Sequence, residues 1–427
     1  MSLEVIQFCP DDRVSSGVNC FCTELNAALR EFGIDCRIVR NVSAVEEVSG
    51  VLTVSGVEGG AKVLAIEGAD SSEQSNISLI LHIHGLWSRA VHRAATWARA
   101  NGVPVVWSTH GMTAPWAMAH KRWKKLPAWW LYQRRDLRHA AAIHCTTDLE
   151  VGWNHDLGLV KTFVAPLGTH LKPLQPLKPL KPLQPLKPMK PFTVLFVGRI
   201  YPVKGLVNLV RAGARLAEGN FQLNDCQLSK GMCEVEKLLE EVDGDVVFRL
   251  VGPDEAGHRA ELEAECRRLG AEESGGRFLF RSGKRVASPL AVSVEFAGEK
   301  RGEELAAEHE GCDVLVLPSF TENFGGVVVD ALAHGKPVIA SRFTPWQELV
   351  ARRCGWWVDN APESLAQTIV EAAGLGPDAL AAMGARGRAL VDEKYTWSAV
   401  AKTMKDVYAS LRSQELTSLK LEPSPDK

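Results

Sequence analysis

The sequence predicts an α/β protein of two domains, each built around a parallel sheet. Three observations carry that expectation. The chain has 427 residues, more than one hydrophobic core usually organises. Short β-branched runs alternate with segments of helical spacing, which is the pattern of βαβ units. The alternation halts at a proline repeat and restarts after residue 191.

In the first half, Leu3–Cys9, Ile34–Arg40, Ile77–His84, Val103–Thr109, Ala141–Thr147 and Thr162–Pro166 are expected strands. Phe21–Phe32 and Arg89–Asn101 lie between them with helical periodicity. In the second half, Val194–Val197, Val246–Val251, Val314–Leu317 and Val338–Ala340 are short apolar runs, each followed by Gly, Pro or Ser. Between the halves, Lys172 to Pro191 carries proline at every third position, mostly in KPL or QPL tripeptides. Proline at that period excludes helix and internal strand and favours polyproline II, at about 3.1 Å per residue. The stretch is either a semi-rigid linker or a ligand for a PxxP-binding domain. Asn220–Asp245 and Arg281–Val294 interrupt the second domain and have the character of surface insertions.

Composition narrows the class. Hydrophobic residues make up 46% and charged residues 23%, an ordinary globular balance. A formal net charge of -2 supplies no global attraction to nucleic acid or anionic lipid. No apolar run reaches transmembrane length, and Met1–Cys9 lacks a basic segment followed by an apolar one, so a soluble cytoplasmic protein is expected. The ten cysteines are scattered, several inside apolar runs, as expected of buried free thiols. The one close pair, Cys20 and Cys22, has no second pair at zinc-finger spacing.

Two segments have the chemistry of a ligand site. Phe192–Leu206 reads as an apolar strand, Gly198, Arg199, then Lys204-Gly205 and a helix start. In an open parallel sheet, ligands bind beyond the carboxyl ends of the strands, where a helix N-terminus offers N–H groups to an anion. Arg199 and Lys204 thus fall where a diphosphate would lie, the arginine able to hold two oxygens and the lysine supplying a compact charge. Asp313–Ser341 reads as strand, Pro318-Ser319, Glu322, Asn323, Phe324, Gly325, Gly326, a helix carrying Asp330, then Gly335, Pro337 and another strand. The paired glycines allow main-chain N–H groups to approach a ligand closely. Glu322 and Asp330 are placed to accept hydrogen bonds from sugar hydroxyls.

These residues resemble a known family. The run from Pro318 to Ile339, with Gly198-Arg199 and Lys204-Gly205, is similar to the signature of the family 4 glycosyltransferases, retaining enzymes of the GT-B fold. His82–Trp87, Ser108–Trp116, Val251–Glu255, Pro345–Glu348 and Gly355–Asp359 also resemble segments of that family, nearest to its lipopolysaccharide and exopolysaccharide subgroup. The resemblance implies two Rossmann-like domains facing across a cleft, with residues 1–171 on the acceptor side and 192–394 binding the nucleotide sugar. Residues 172–191 would link them, 395–412 would form a helix crossing back to the N-terminal domain, and 413–427 a disordered tail.

By the same resemblance, Arg199 and Lys204 stabilise the departing diphosphate, Glu322 contacts the donor sugar, and His110 lies near that sugar. Backbone groups at Gly17, Gly198 and Asn323–Gly326 approach the donor. The family's second glutamate binds the ribose. Here the position is Asp330, whose carboxylate reaches about 1.5 Å less far. The implied reaction proceeds with retention and without a metal or other cofactor, fixed cations stabilising the leaving diphosphate. The acceptor would be a glycan or lipid-linked saccharide in cell-surface polysaccharide synthesis. An epimerase or hydrolase of the same fold, or a non-catalytic sugar-nucleotide binder, are the alternatives; the latter would be expected to have lost Arg199 or Lys204.

Residues 118–139 form a basic, aromatic segment. It carries Lys121, Arg122, Lys124, Lys125, Arg134, Arg135 and Arg138 against the single acid Asp136, with Trp123, Trp129, Trp130 and Tyr132 interleaved. This composition suits the anionic inner face of a membrane, so peripheral contact is expected there, with no nucleic-acid partner. The competing account makes the tryptophans core and the charges a solvated face.

Overall fold

The computed structural model of the protein describes residues 3–10, 17–40, 52–58, 61–66, 78–171, 190–218, 245–281 and 291–412. The proline repeat but for its last two residues, nearly all of the first expected insertion, most of the second, Ser15-Ser16 and the 413–427 tail lie outside the described residues. The chain forms two compact units, Met1–Gly168 with Lys394–Lys427, and Thr169–Glu393.

In the first unit, β1 (Leu3–Phe8), β2 (Asp35–Val39), β5 (Ser78–His84), β6 (Val105–Ser108), β7 (Ala142–Cys145) and β8 (Thr162–Val164) form a parallel sheet of order β2-β1-β5-β6-β7-β8. A separate antiparallel pair, β3 (Leu52–Glu58) and β4 (Ala61–Ile66), was not anticipated. Side chains alternate across a strand, so each strand feeds two cores. Ile6, Phe8, Leu81, Ile83 and Trp107 pack on one face with the helix Arg89–Asn101. Val5, Ile80 and Val106 pack on the other with the helices Gly17–Glu31 and Trp397–Arg412, the latter through Val400, Met404 and Tyr408. The Arg89–Asn101 helix starts at Ser88, whose hydroxyl accepts from the Val91 N–H, and stops at Gly102 in the left-handed region.

In the second unit, β9 (Phe192–Val197), β10 (Val246–Val251), β11 (Glu272–Ser274), β12 (Arg277–Phe280), β13 (Val292–Gly298), β14 (Val314–Leu317), β15 (Val338–Ser341) and β16 (Gly355–Val358) form one sheet. Its order is β11-β12-β13-β10-β9-β14-β15-β16, parallel from β13 to β16 with an antiparallel β11–β12 edge. The helix Leu206–Glu218 lays Leu209, Val210 and Leu216 on Phe196, Phe248 and Val292.

One expectation is corrected. Val292–Val294, taken as the end of a surface insertion, begins β13, a buried strand paired with both β10 and β12. Its sequence hides the role because Glu295 sits in mid-strand, where Arg249 and Arg277 neutralise it at 2.9 and 3.1 Å. The units change over at Gly168/Thr169 and Glu393/Lys394, slightly ahead of the expected 171 and 394. Gly168 is packed so closely on the Trp397 indole that a Cβ would fall within 2.5 Å of it, whereas the Thr169 hydroxyl bonds Asp330 in the second unit.

Candidate active site

Sheet order locates the site in the second unit. From β9 the chain runs outward to β10 and β13, then returns to the opposite side of β9 as β14. The order therefore reverses between β9 and β14, and a crevice at the carboxyl ends of such a pair is where α/β sheets bind ligands. The turn Pro202–Lys204 follows β9, and the loop from Pro318 follows β14.

Backbone and amide bonds tie these two segments together. Phe320 N–H donates to Val203 O at 2.8 Å, and Asn360 Nδ2 donates to Pro318 O at 2.5 Å. Asn208 Nδ2 donates in turn to Asn360 O at 2.6 Å. Gly205, at φ 68°, brings the first segment so near that a Cβ would stand 1.9 Å from Pro318 O. The Lys204 ammonium consequently meets the Glu322 carboxylate, Nζ to Oε2, at 2.5 Å. Ser319 Oγ donates more weakly to the same oxygen at 3.4 Å.

The glycine pair opens a helix, as its sequence implied. Gly325, at φ 80°, is the residue before the helix Gly326–Ala333, and a Cβ there would press on Leu317 and Glu322. Phe324 is buried and meets Trp346 edge-on, while Trp346 Nε1 donates to Phe324 O at 2.5 Å. The loop is thus braced from behind, leaving a helix N-terminus beside Glu322.

The other named residues are less concentrated. Arg199 is more than half exposed and pairs with Glu255 at 2.9 Å, not with Glu322. Hydrogen bonds between Ile200 and the Pro253–Glu255 segment hold the two loops together. Gly198 closes β9, its N–H donating to Val251 O at 2.9 Å. Asp330 accepts the Thr169 hydroxyl at 2.9 Å, and burial raises its pKa, partly offset by that bond. Gly17 begins its helix with open space around the position a Cβ would take.

His110 lies in the first unit within a cluster of buried histidines. Its Nε2 is 3.1 Å from His84 Nδ1, and the rings stack with centroids 5.4 Å apart. Desolvation, then the neighbouring His144, lowers the His110 pKa to about 4. His82 connects Tyr408 Oη and Ser108 Oγ, each at 2.7 Å, and Ser108 Oγ lies 2.6 Å from His144 Nδ1. His144 Nε2 meets the Ala165 carbonyl at 2.7 Å, so that nitrogen carries the proton. With the histidines neutral, this end fixes every donor. Ser108 gives to His144 Nδ1, His82 Nε2–H to Ser108, and Tyr408 to His82 Nδ1. Sequence reasoning singled out His110 but missed this chain, which is assembled from four separate elements.

The basic segment divides between the two accounts offered for it. Trp129 is core, whereas Trp123, Trp130 and Leu131 are 74%, 67% and 78% exposed. Asp136 is buried and accepts from Arg99 and His92. No helix among the described residues is long and apolar enough to cross a membrane. Cys20 is exposed, and the other cysteines within the described residues are buried thiols; Cys226 and Cys233 lie outside them.

A family model of group 1 glycosyl transferases matches residues 191–374, and a glycosyl transferase 4-like domain matches residues 16–168. The D-inositol 3-phosphate glycosyltransferase of Salinispora tropica is 27% identical over 53% of this chain and 40% of its own length. The chain spans less than half the length of the curated relatives it matches here. Anabaena HepE, solved with UDP, aligns over 96% of this chain and all of its own with a TM-score of 0.59 at 15% identity. Sucrose-phosphate synthase from Thermosynechococcus elongatus aligns over 97% of this chain and all of its own, with a TM-score of 0.61 at 18% identity.

Proposed function

The chain belongs to family 4 of the glycosyltransferases and has their GT-B fold, and on that footing we propose that it transfers a sugar, with retention, from a nucleotide-sugar donor to a glycan or lipid-linked acceptor. The observation that carries this proposal is the pairing of Lys204 with Glu322 at the point where strand order reverses, beside a glycine-led helix N-terminus. A cation, a carboxylate and a helix N-terminus at one spot suit a molecule that is diphosphate at one end and polyhydroxylated at the other.

In this scheme Lys204 and Arg199 stabilise negative charge as the glycosyl phosphate bond breaks. Glu322 accepts from hydroxyls of the donor sugar. Backbone amides from Asn323 to Gly326 hold the ring hydroxyls and the diphosphate of the donor, and His110 is assigned to the donor sugar. Cleavage asks for electrostatic stabilisation more than covalent help, so no metal is needed. Asp330 contacts the ribose, its reach shortened and one oxygen already engaged by Thr169. The acceptor reading rests on the exposed tryptophans and cations of 118–139, which suit an enzyme working at the inner face of a membrane on cell-surface polysaccharide.

A thermal-shift panel of UDP, GDP, ADP and their sugars tests the donor. A matched nucleotide raises the melting temperature with occupancy, and chelator leaves the shift and turnover intact. No shift with any nucleotide sinks the proposal. Proton NMR of the product tests retention, an inverted anomeric centre being the adverse result.

A further inference from the structure

Glu150 is fully buried, and four donors converge on its carboxylate. Oε1 accepts the Thr109 hydroxyl at 2.6 Å and the Gly111 N–H at 2.5 Å. Oε2 accepts the Thr146 N–H at 2.8 Å and its hydroxyl at 3.0 Å. Among the described residues no cation pairs with it. An unpaired carboxylate in a core is a costly way to gain stability, since apolar packing would serve as well, so its place is explained by what its four donors belong to.

What the carboxylate grips is specific. Thr109 and Gly111 are the two neighbours of His110, which itself has φ 48°, a left-handed conformation uncommon outside glycine. A backbone of that shape persists only where its surroundings impose it. Glu150 bonds the chain on either side of the strained residue and so fixes where the imidazole leaves the backbone. The carboxylate is anchored in its turn, because Thr147 Oγ1 accepts the Glu150 N–H at 3.2 Å and Asn154 Nδ2 donates to the Glu150 carbonyl at 3.0 Å. Asn154 Nδ2 also reaches Thr109 Oγ1 at 3.4 Å. Beyond the turn, His84 and the edge-on ring of Phe21, with centroids 5.3 Å apart, hold the His110 imidazole itself.

We propose that Glu150 is the positioning residue for His110, setting the turn that aims the imidazole. This inference rests on the assignment of His110 to the donor sugar. Catalytic groups held by loops need such support, because a small displacement of the reacting geometry costs large factors in rate.

The test is a double-mutant cycle on the full chain with His110→Ala, Glu150→Ala and Glu150→Gln. Turnover of each panel sugar nucleotide is read as released nucleoside diphosphate, with thermal melts alongside. Glu150→Gln keeps an acceptor for one pair of donors and presents an amide to the other, and it carries the test if Glu150→Ala fails to fold. The expected result is at least a tenfold fall in kcat for His110→Ala and for Glu150→Ala, with a smaller fall for Glu150→Gln. Combining His110→Ala with either Glu150 variant should cost nothing beyond His110→Ala alone, because residues acting as a unit are not additive. Losses that multiply overturn the proposal and leave Glu150 a structural residue. Unchanged turnover in His110→Ala instead overturns the assignment of His110 itself. An activity-independent readout is nitrogen-15 NMR of the ring, in which Glu150→Gln shifts the His110 resonances; unmoved resonances in a folded Glu150→Gln chain count against the proposal.

Discussion

Lys204 Nζ lies 2.5 Å from Glu322 Oε2, joining the segments that follow β9 and β14, with the two side chains 15% and 18% exposed. Both side chains are mostly buried, so deleting one partner leaves the other charge poorly solvated and costs up to about 3 kcal/mol of stability. A cation facing a leaving diphosphate contributes to rate as well, removal of one electrostatic stabiliser commonly costing about 10² to 10³ in kcat. Lys204→Ala should therefore lose turnover by that order at temperatures well below its melt, which falls by no more than the few degrees that the lost pair accounts for. Steady-state kinetics and calorimetry on the same preparation check this. A lowered melt with unchanged kcat would make the pair structural.

Gly205 tests whether the approach of the two segments is what assembles the pair. At φ 68°, with a Cβ position 1.9 Å from Pro318 O and 2.7 Å from Asn360 Nδ2, alanine meets backbone that cannot yield without breaking the Asn360–Pro318 bond. Gly257 is the control, with φ 73° and open space around its Cβ position. Left-handed strain alone costs of order 1–3 kcal/mol. Gly257→Ala should show that cost in a thermal melt and keep its turnover. Gly205→Ala should melt lower and lose turnover as well. Equal behaviour of the two would show that the close approach does not matter to the site.

Much of this was legible in the chain itself, and the exceptions have physical causes. The parallel strands announce themselves because strands buried on both faces are written as short β-branched runs between breakers. Lys204, Gly205, Glu322 and Gly325 could be found because a strand end, a glycine and a charge lie within a few residues of one another. β13 was hidden because the charge of Glu295 is cancelled by Arg249 and Arg277, neither of them a sequence neighbour. Glu150 was missed for a similar reason. Thr147-x-x-Glu150 is the pattern of a helix capping box, and Thr147 does cap the helix Asp148–Asp156. Nothing local discloses that the carboxylate also reaches the Thr109–Gly111 turn, which lies some forty residues earlier. The Glu255 partner of Arg199 was likewise set by the meeting of two strand-end loops.

Buried histidines set an acid limit on the fold. Burial, followed by neighbouring histidines, lowers the pKa of His82, His84 and His110, and burial lowers that of His144. His309 in the second unit is lowered to about 4 by burial and then by His334. Glu150 opposes the shift at His110 and His144 without reversing it. The unfolded chain, with histidines near 6.5, binds more protons than the native one between that value and about 4. Stability is therefore full above pH 6.5 and is lost as pH falls through this window, by up to about 1.4 kcal/mol per pH unit for each such group. Glu265, held down to about 2 chiefly by Arg268, acts only below about 4.5. Calorimetry should show a melting temperature level from pH 7.5 to about 6.5 and falling from there to pH 5, and a profile level throughout would contradict the account.

The exposed face of residues 118–139 makes a final prediction. Helix Arg122–Ala128 contains Pro127 and widens into a π-helical turn, Trp129–Gln133, which seats Trp129 in the core and leaves Trp130 and Leu131 outside. Trp123 is exposed on the same segment, next to Lys121, Arg122 and Lys124. The single acid, Asp136, faces inward and is satisfied by Arg99 and His92, so it subtracts nothing from the outward positive charge. Amphipathic aromatics at the headgroup level with cations around them favour an anionic bilayer surface, each cation contributing about 1 kcal/mol. Neutralising Lys121, Arg122 and Lys124 together removes about 3 kcal/mol, roughly a hundredfold in partitioning. Co-sedimentation with vesicles of mixed anionic and neutral lipid should fall by that order in the triple variant and weaken with salt. Trp123→Ser with Trp130→Ser should weaken it further at any salt concentration, since the apolar contribution is not screened. Equal binding of the unaltered protein to purely neutral vesicles would reject the membrane assignment and leave these tryptophans to another partner.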